Sequence, residues 1–179
     1  MPLFSPLLRM LLAALLLMGS SARADILTEV QNLAARGDLT GALRATETAA
    51  AADPRDTQAR FLRAVVLMDL QRSAEALDAF TQLSQEFPEL PEPYNNIALL
   101  LVRAGRLEQA RQALETALRN DPGHRTARAN LGEVHLMLAV QAWEQAALLG
   151  PLDARLKRRL DAARALVVSG SLPGALPSR

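Results

Sequence analysis

The sequence predicts an all-α chain built from repeated pairs of helices. Two observations carry that prediction. Ala and Leu dominate a composition that is 50% hydrophobic but only 3% aromatic, and both residues rank high in helix propensity. The Val, Ile, Thr and aromatic runs that strands require are missing. Pro54, Pro88 and Pro122 are spaced 34 residues apart, twice. Proline cannot continue a helix and disfavours helix in the residue before it, so each one closes a unit of fixed length.

Residues 1–24 read as a signal peptide. Arg9 supplies a positive charge, Met10 to Met18 form an apolar run, and Ala22-Arg23-Ala24 has the small-x-small pattern of a cleavage site. The run is too short to span a bilayer, which takes about 20 residues. Cleavage is predicted after Ala24, giving a periplasmic protein; a retained N-terminal anchor is the alternative. No later segment approaches a membrane span. Loss of Arg9 and Arg23 leaves 18 bases against 19 acids, a net charge of −1. The bases are scattered, which argues against a nucleic-acid partner. The chain has no cysteine, so disulfides and thiolate chemistry are excluded and stability must come from packing.

Helices are predicted at 25–36, 39–52, 56–70, 73–86, 91–104 and 107–120. They fall into units 25–56, 57–90 and 91–124. Small residues recur in frame: Ala64 and Ala98 in first helices, Ala42, Ala76 and Ala110 opening second helices. Thr46, Phe80 and Leu114 follow at the next in-frame place. Gly37 and Gly105 mark the turns between the helices of a pair. The fourth unit, 125–151, departs. Its first helix contains Leu131 and Gly132, but the turn that should follow is missing, and Pro151 closes the unit five residues early. Trp143 and Ala146 stand as its second-helix core. With no breaker before Gly150, one helix from about 125 to 149 is predicted, a kink near Val140 being the rival. A last helix spans 152–168, apolar at Leu152, Leu156, Leu160 and Ala163 and basic on its other side. It would cap the exposed end of the array. The Gly-, Pro- and Ser-rich tail 169–179 is expected to be disordered.

The pattern resembles the tetratricopeptide repeat. The clearest copy is 91–124, with Tyr94 at the aromatic place, Ile97-Ala98 at the Leu-Gly place, and Ala110 and Ala117 at the small places. The second copy departs with Arg60 at the aromatic place. The resemblance covers roughly 25–151. It implies a right-handed α-solenoid of antiparallel helix pairs, about 3.5–4 units, closed by the C-terminal helix.

The chemistry that would make an enzyme is not visible. His124, in a turn between units, reads as a solvated loop residue. His135, at the place of Leu67 and Leu101, reads as a core or boundary residue, because one histidine is no ligand set. No phosphate loop or nucleophile elbow occurs, and no metal or cofactor is implied. In the family resembled, first helices line a concave groove. The residues that the resemblance places there for partner binding are Phe61, Val65 and Met68 from the second unit, Asn95, Asn96, Leu99, Val102 and Arg103 from the third, and Asn130 and Glu133 from the fourth. Asn96 and Asn130 repeat at one place, where they either bracket a partner's backbone or hydrogen-bond between adjacent helices. Asn95 and Leu99 stand where a carboxylate clamp would need cations, so no clamp is expected. The reading is a non-enzymatic interaction module of the periplasm or cell envelope that binds other proteins through an apolar groove. The alternative is a self-associating structural subunit, its groove filled by its own C-terminal helix or a second copy.

Overall fold

The computed structural model describes residues 26–169. The signal peptide and cleavage site read at 1–24 lie outside the described residues, as does the tail from residue 170 onward. Every element among the described residues is helical: α1 (26–35), α2 (Leu39–Ala52), α3 (Thr57–Asp69), α4 (Ser73–Glu86), α5 (Pro91–Arg103), α6 (Leu107–Asn120), α7 (Arg125–Leu149) and α8 (Ala154–Ser169). None of them is long and apolar enough to cross a membrane.

The 34-residue period is written into the turns. Within each hairpin the first helix ends on a left-handed residue, Gly37 (φ 77°), Gln71 (φ 60°) or Gly105 (φ 72°). Around Gly105 the amides of Gly105 and Arg106 bond back to the carbonyls of Val102 and Leu101, and the same pair of bonds forms at Gly37 and at Gln71. This is the Schellman arrangement, which satisfies the last carbonyls of the helix. Between hairpins, the amides of Asp56, Leu90 and His124 bond to the carbonyls of Asp53, Phe87 and Asp121. Pro54, Pro88 and Pro122 therefore occupy the second place of a four-residue turn, where their fixed φ is already correct. Arg60 departs from the aromatic place for a reason. Its guanidinium donates to Pro54 O at 3.4 Å, and Arg128, at the same place in the fourth unit, donates to Pro122 O.

The chain divides into two compact units, one ending at Ala79 and one beginning at Phe80. In the first, α2 packs on α3, and Ala42, Thr46, Ala64 and Leu67 are fully buried. The Thr46 hydroxyl donates to Leu43 O at 2.7 Å, which satisfies it inside the core. In the second, α5 and α6 form the main hairpin and α7 packs on α6. Ala98, Leu101, Ala110, Leu114, Ala117, Ala127 and Val134 make one core, with Tyr94, Ile97 and Leu131 against it. The small residues let the helices approach closely enough for ridges to enter grooves.

The fourth unit never turns back. α7 is a single helix of 25 residues, and α8 lies along it. An Arg164–Glu144 ion pair and the buried Leu160 and Ala163 fix that seam. One expectation is corrected here: His135 is exposed, as is Gly132. Their counterparts Leu101 and Ala98 sit in the core that α5 shares with its own second helix α6. α8 packs on α7 without covering Gly132 and His135, so that part of α7 stays exposed.

Candidate partner-binding surface

First helices supply the candidate residues, and their caps set where those residues begin. Asp56 caps α3 by accepting the Gln58 and Ala59 amides at 2.9 and 3.1 Å. α5 has no side-chain cap but opens on Pro91, whose missing N–H needs no partner there. His124 caps α7: its Nδ1 accepts the Ala127 amide at 3.2 Å, which places the ring proton on Nε2. His124 is thus half-buried and structural, not the solvated loop residue expected from its place in a turn.

In the first unit, Phe61 is half-buried while Val65 and Met68 are buried, at 1% and 2% exposure. In the second, Asn95, Asn96 and Leu99 on α5 are buried, as is Asn130 on α7. Val102 packs against the α5–α6–α7 core. Arg103 is exposed and Glu133 half-buried. Val65, Met68, Leu99 and Val102 therefore do not form an open apolar wall. Chain-facing packing already occupies them.

The asparagines make a small polar network inside the second unit. Asn130 Nδ2 donates to Asn95 Oδ1 at 2.9 Å, which ties α7 to α5. Asn96 Nδ2 donates to Glu92 O at 2.9 Å, within its own helix. The in-frame pair Asn96 and Asn130 is thus not one ladder: Asn130 bonds between helices, through Asn95, and Asn96 does not. Both leave an acceptor over, since no donor reaches Asn96 Oδ1 or Asn130 Oδ1 among the described residues. A buried acceptor without a donor costs roughly 1–3 kcal/mol. No other polar side-chain atom of the described residues is left this way.

Elsewhere several surface charges are paired. Arg72 grips Glu75 through Nε and Nη2 at 2.7 and 2.6 Å. That hydrogen bond holds the Glu75 carboxyl below its ordinary range and raises Arg72. Arg111 bridges Glu108 and Glu115, and both hydrogen bonds push its guanidinium up. Among the described residues no three His, Asp or Glu side chains converge as metal ligands.

The comparison with known proteins agrees with the helical period. Two family models, each described as tetratricopeptide repeat, match residues 27–91 and 68–131, which together span more than half of the chain. The chain belongs to the tetratricopeptide-repeat family. A stretch of 69 residues, 38% of the chain, is 35% identical to the TPR repeat-containing protein YvcD of Bacillus subtilis (strain 168), and it spans only 14% of that relative's length. Among solved structures, the first TPR of Spaghetti (RPAP3) bound to the HSP90 peptide SRMEEVD matches with a TM-score of 0.58 at 18% identity, over 65% of this chain and 93% of that one. TTC0263, a thermophilic TPR protein of Thermus thermophilus, matches with a TM-score of 0.51 at 22% identity, over 80% of this chain and all of that one. At these identities the structural likeness speaks for the fold alone.

Sequence reasoning did not find the Asn95–Asn130 bond. It aligned Asn96 with Asn130 by the period, whereas the bonded partners lie 35 apart. Nothing in a single sequence marks that one-residue offset. The capping role of His124 had a signal, since Asp56 stands two periods of 34 residues before it.

Proposed function

We propose that the chain is a non-enzymatic interaction scaffold of the periplasm or cell envelope, and that it holds a segment of a partner protein against its first helices. The family is one of protein-interaction modules, and a structural neighbour was solved with a bound peptide. The observation that carries the reading for this chain is what the second unit leaves accessible on its first helices, the exposed Arg103 and the half-buried Val102 and Glu133. Within the second unit Val102 would give apolar contact, and Arg103 and Glu133 charge selection. The basic-to-apolar leader at 1–24 supports export; a mature N-terminus at Asp25 on an exported protein is the result expected from terminal sequencing.

The alternative is a self-associating structural subunit, which would likewise have to use residues other than the buried ones. Val65, Met68 and Leu99 are at most 4% exposed within a single chain, so their faces are already filled. A photoreactive residue placed at Arg103, which is exposed, tests both in cells. Adducts to one or a few envelope proteins support the scaffold. Adducts only to further copies of the chain support the structural subunit and sink the scaffold reading.

A further inference from the structure

We infer that the corner between α7 and α8 is a docking surface for an anionic lipid bilayer. Leu148 and Leu149 close α7 at 87% and 93% exposure, just before Gly150 and Pro151. Single exposed leucines are ordinary. Two in succession at an exposed helix end, followed by a cluster of cations, are not explained by the fold.

The cations are Arg155, Lys157, Arg158 and Arg159, in the first turns of α8, and all four are exposed. Among the described residues none of these four has an ion-pair partner, whereas Arg63, Arg72, Arg111 and Arg164 each have a carboxylate. Asp153, before the helix, is engaged: one of its oxygens accepts the Arg155 and Leu156 amides, each at 2.8 Å, and so caps α8. Asp161 follows within the helix and leaves the corner positive.

Positive charge beside projecting leucines fits an interface between water and anionic lipid, where cations meet phosphates and apolar side chains enter the acyl boundary. A bilayer accepts exposed leucines without a matching groove. A second copy fits less well, because a two-fold contact would bring the same four cations face to face. This surface involves none of the residues assigned above to partner binding.

Trp143, the only tryptophan of the chain, lies less than two turns before Leu149 and reports on this corner alone. The test mixes the full chain with vesicles containing phosphatidylglycerol, or with phosphatidylcholine alone, and follows Trp143 emission and co-flotation. A blue shift with phosphatidylglycerol only, weakened as salt rises, is expected. Each cation near such a surface contributes roughly a factor of five, so Arg158→Glu with Arg159→Glu should weaken binding by at least about tenfold. Leu148→Glu with Leu149→Glu should abolish the blue shift. These positions are exposed, so helicity by circular dichroism should stay unchanged. A leader that binds vesicles does so equally in every variant and does not move Trp143. An unmoved Trp143 emission, or variants that shift it as the native chain does, would overturn the inference. So would dimerisation that the leucine variant abolishes without any vesicle effect, which would assign the corner to a second copy.

Discussion

At position 71 the chain places a glutamine where the hairpins before and after it place glycine. Gln71 holds φ 60°, against 77° at Gly37 and 72° at Gly105. A side chain in that region costs about 1–2 kcal/mol, and glycine gives part of this back through its looser unfolded chain. Gln71→Gly should therefore stabilise the protein by roughly 0.5–1 kcal/mol in denaturant titration. A loss of stability would mean that the Gln71 side chain makes a contact worth more than the strain. A second residue-scale test is His124. Its ring nitrogen takes one amide at 3.2 Å, whereas Asp56 at the same place takes two. His124→Asp should raise stability by about 0.5–1 kcal/mol, read as a higher denaturation midpoint; an unchanged midpoint would show that the histidine already caps as well as a carboxylate. The period made Gln71 findable, because it is the odd residue in a column whose other members are Gly37 and Gly105, and it set His124 in the place where Asp56 caps α3. The direction of the asparagine bonds was not findable, because it depends on a one-residue offset between neighbouring helices.

Helix elements were legible where a breaker marks their ends. Pro54, Pro88 and Pro122 fix three turns and Gly37 and Gly105 two more, and the helices between them begin and end within two residues of the spans expected from sequence. α7 was legible by the opposite sign, the lack of any breaker before Gly150. The exposure of Gly132 and His135 was legible only in part: the missing turn was read, but the residue types at these two places give no warning that they lie outside the core. At this scale the Arg72–Glu75 pair at the start of α4 gives a pH prediction. Arg72 holds the Glu75 carboxyl below its ordinary value near 4.5. A lowered carboxyl pKa adds stability above the ordinary value and loses it as pH falls through the lowered one. The gain is small because the pair is exposed to solvent and salt. Thermal melts of the native chain and Glu75→Gln at low salt should differ near pH 6 and converge below pH 4. A gap that persists at pH 3 would assign the effect to packing and not to the ion pair.

For the whole molecule, repeat architecture makes stability local. The chain has no cysteine to staple distant parts together, and each repeat of such an array draws its stability from its own core and its immediate neighbours. The two compact units carry separate sets of core residues, Ala42, Thr46, Ala64 and Leu67 in one and Ala98, Leu101, Leu114 and Val134 in the other. Leu114 is fully buried at the centre of the second set. Leu114→Ala should remove about 3–5 kcal/mol by leaving a cavity among α5, α6 and α7. Hydrogen exchange locates that loss. Amides of α5 to α7 should lose protection by several orders of magnitude, while those of α2 and α3 keep most of theirs, because opening proceeds through local cooperative units. A uniform loss along the whole chain would mean that the array unfolds as one body, and that the 34-residue period records how the chain is built without setting how it comes apart.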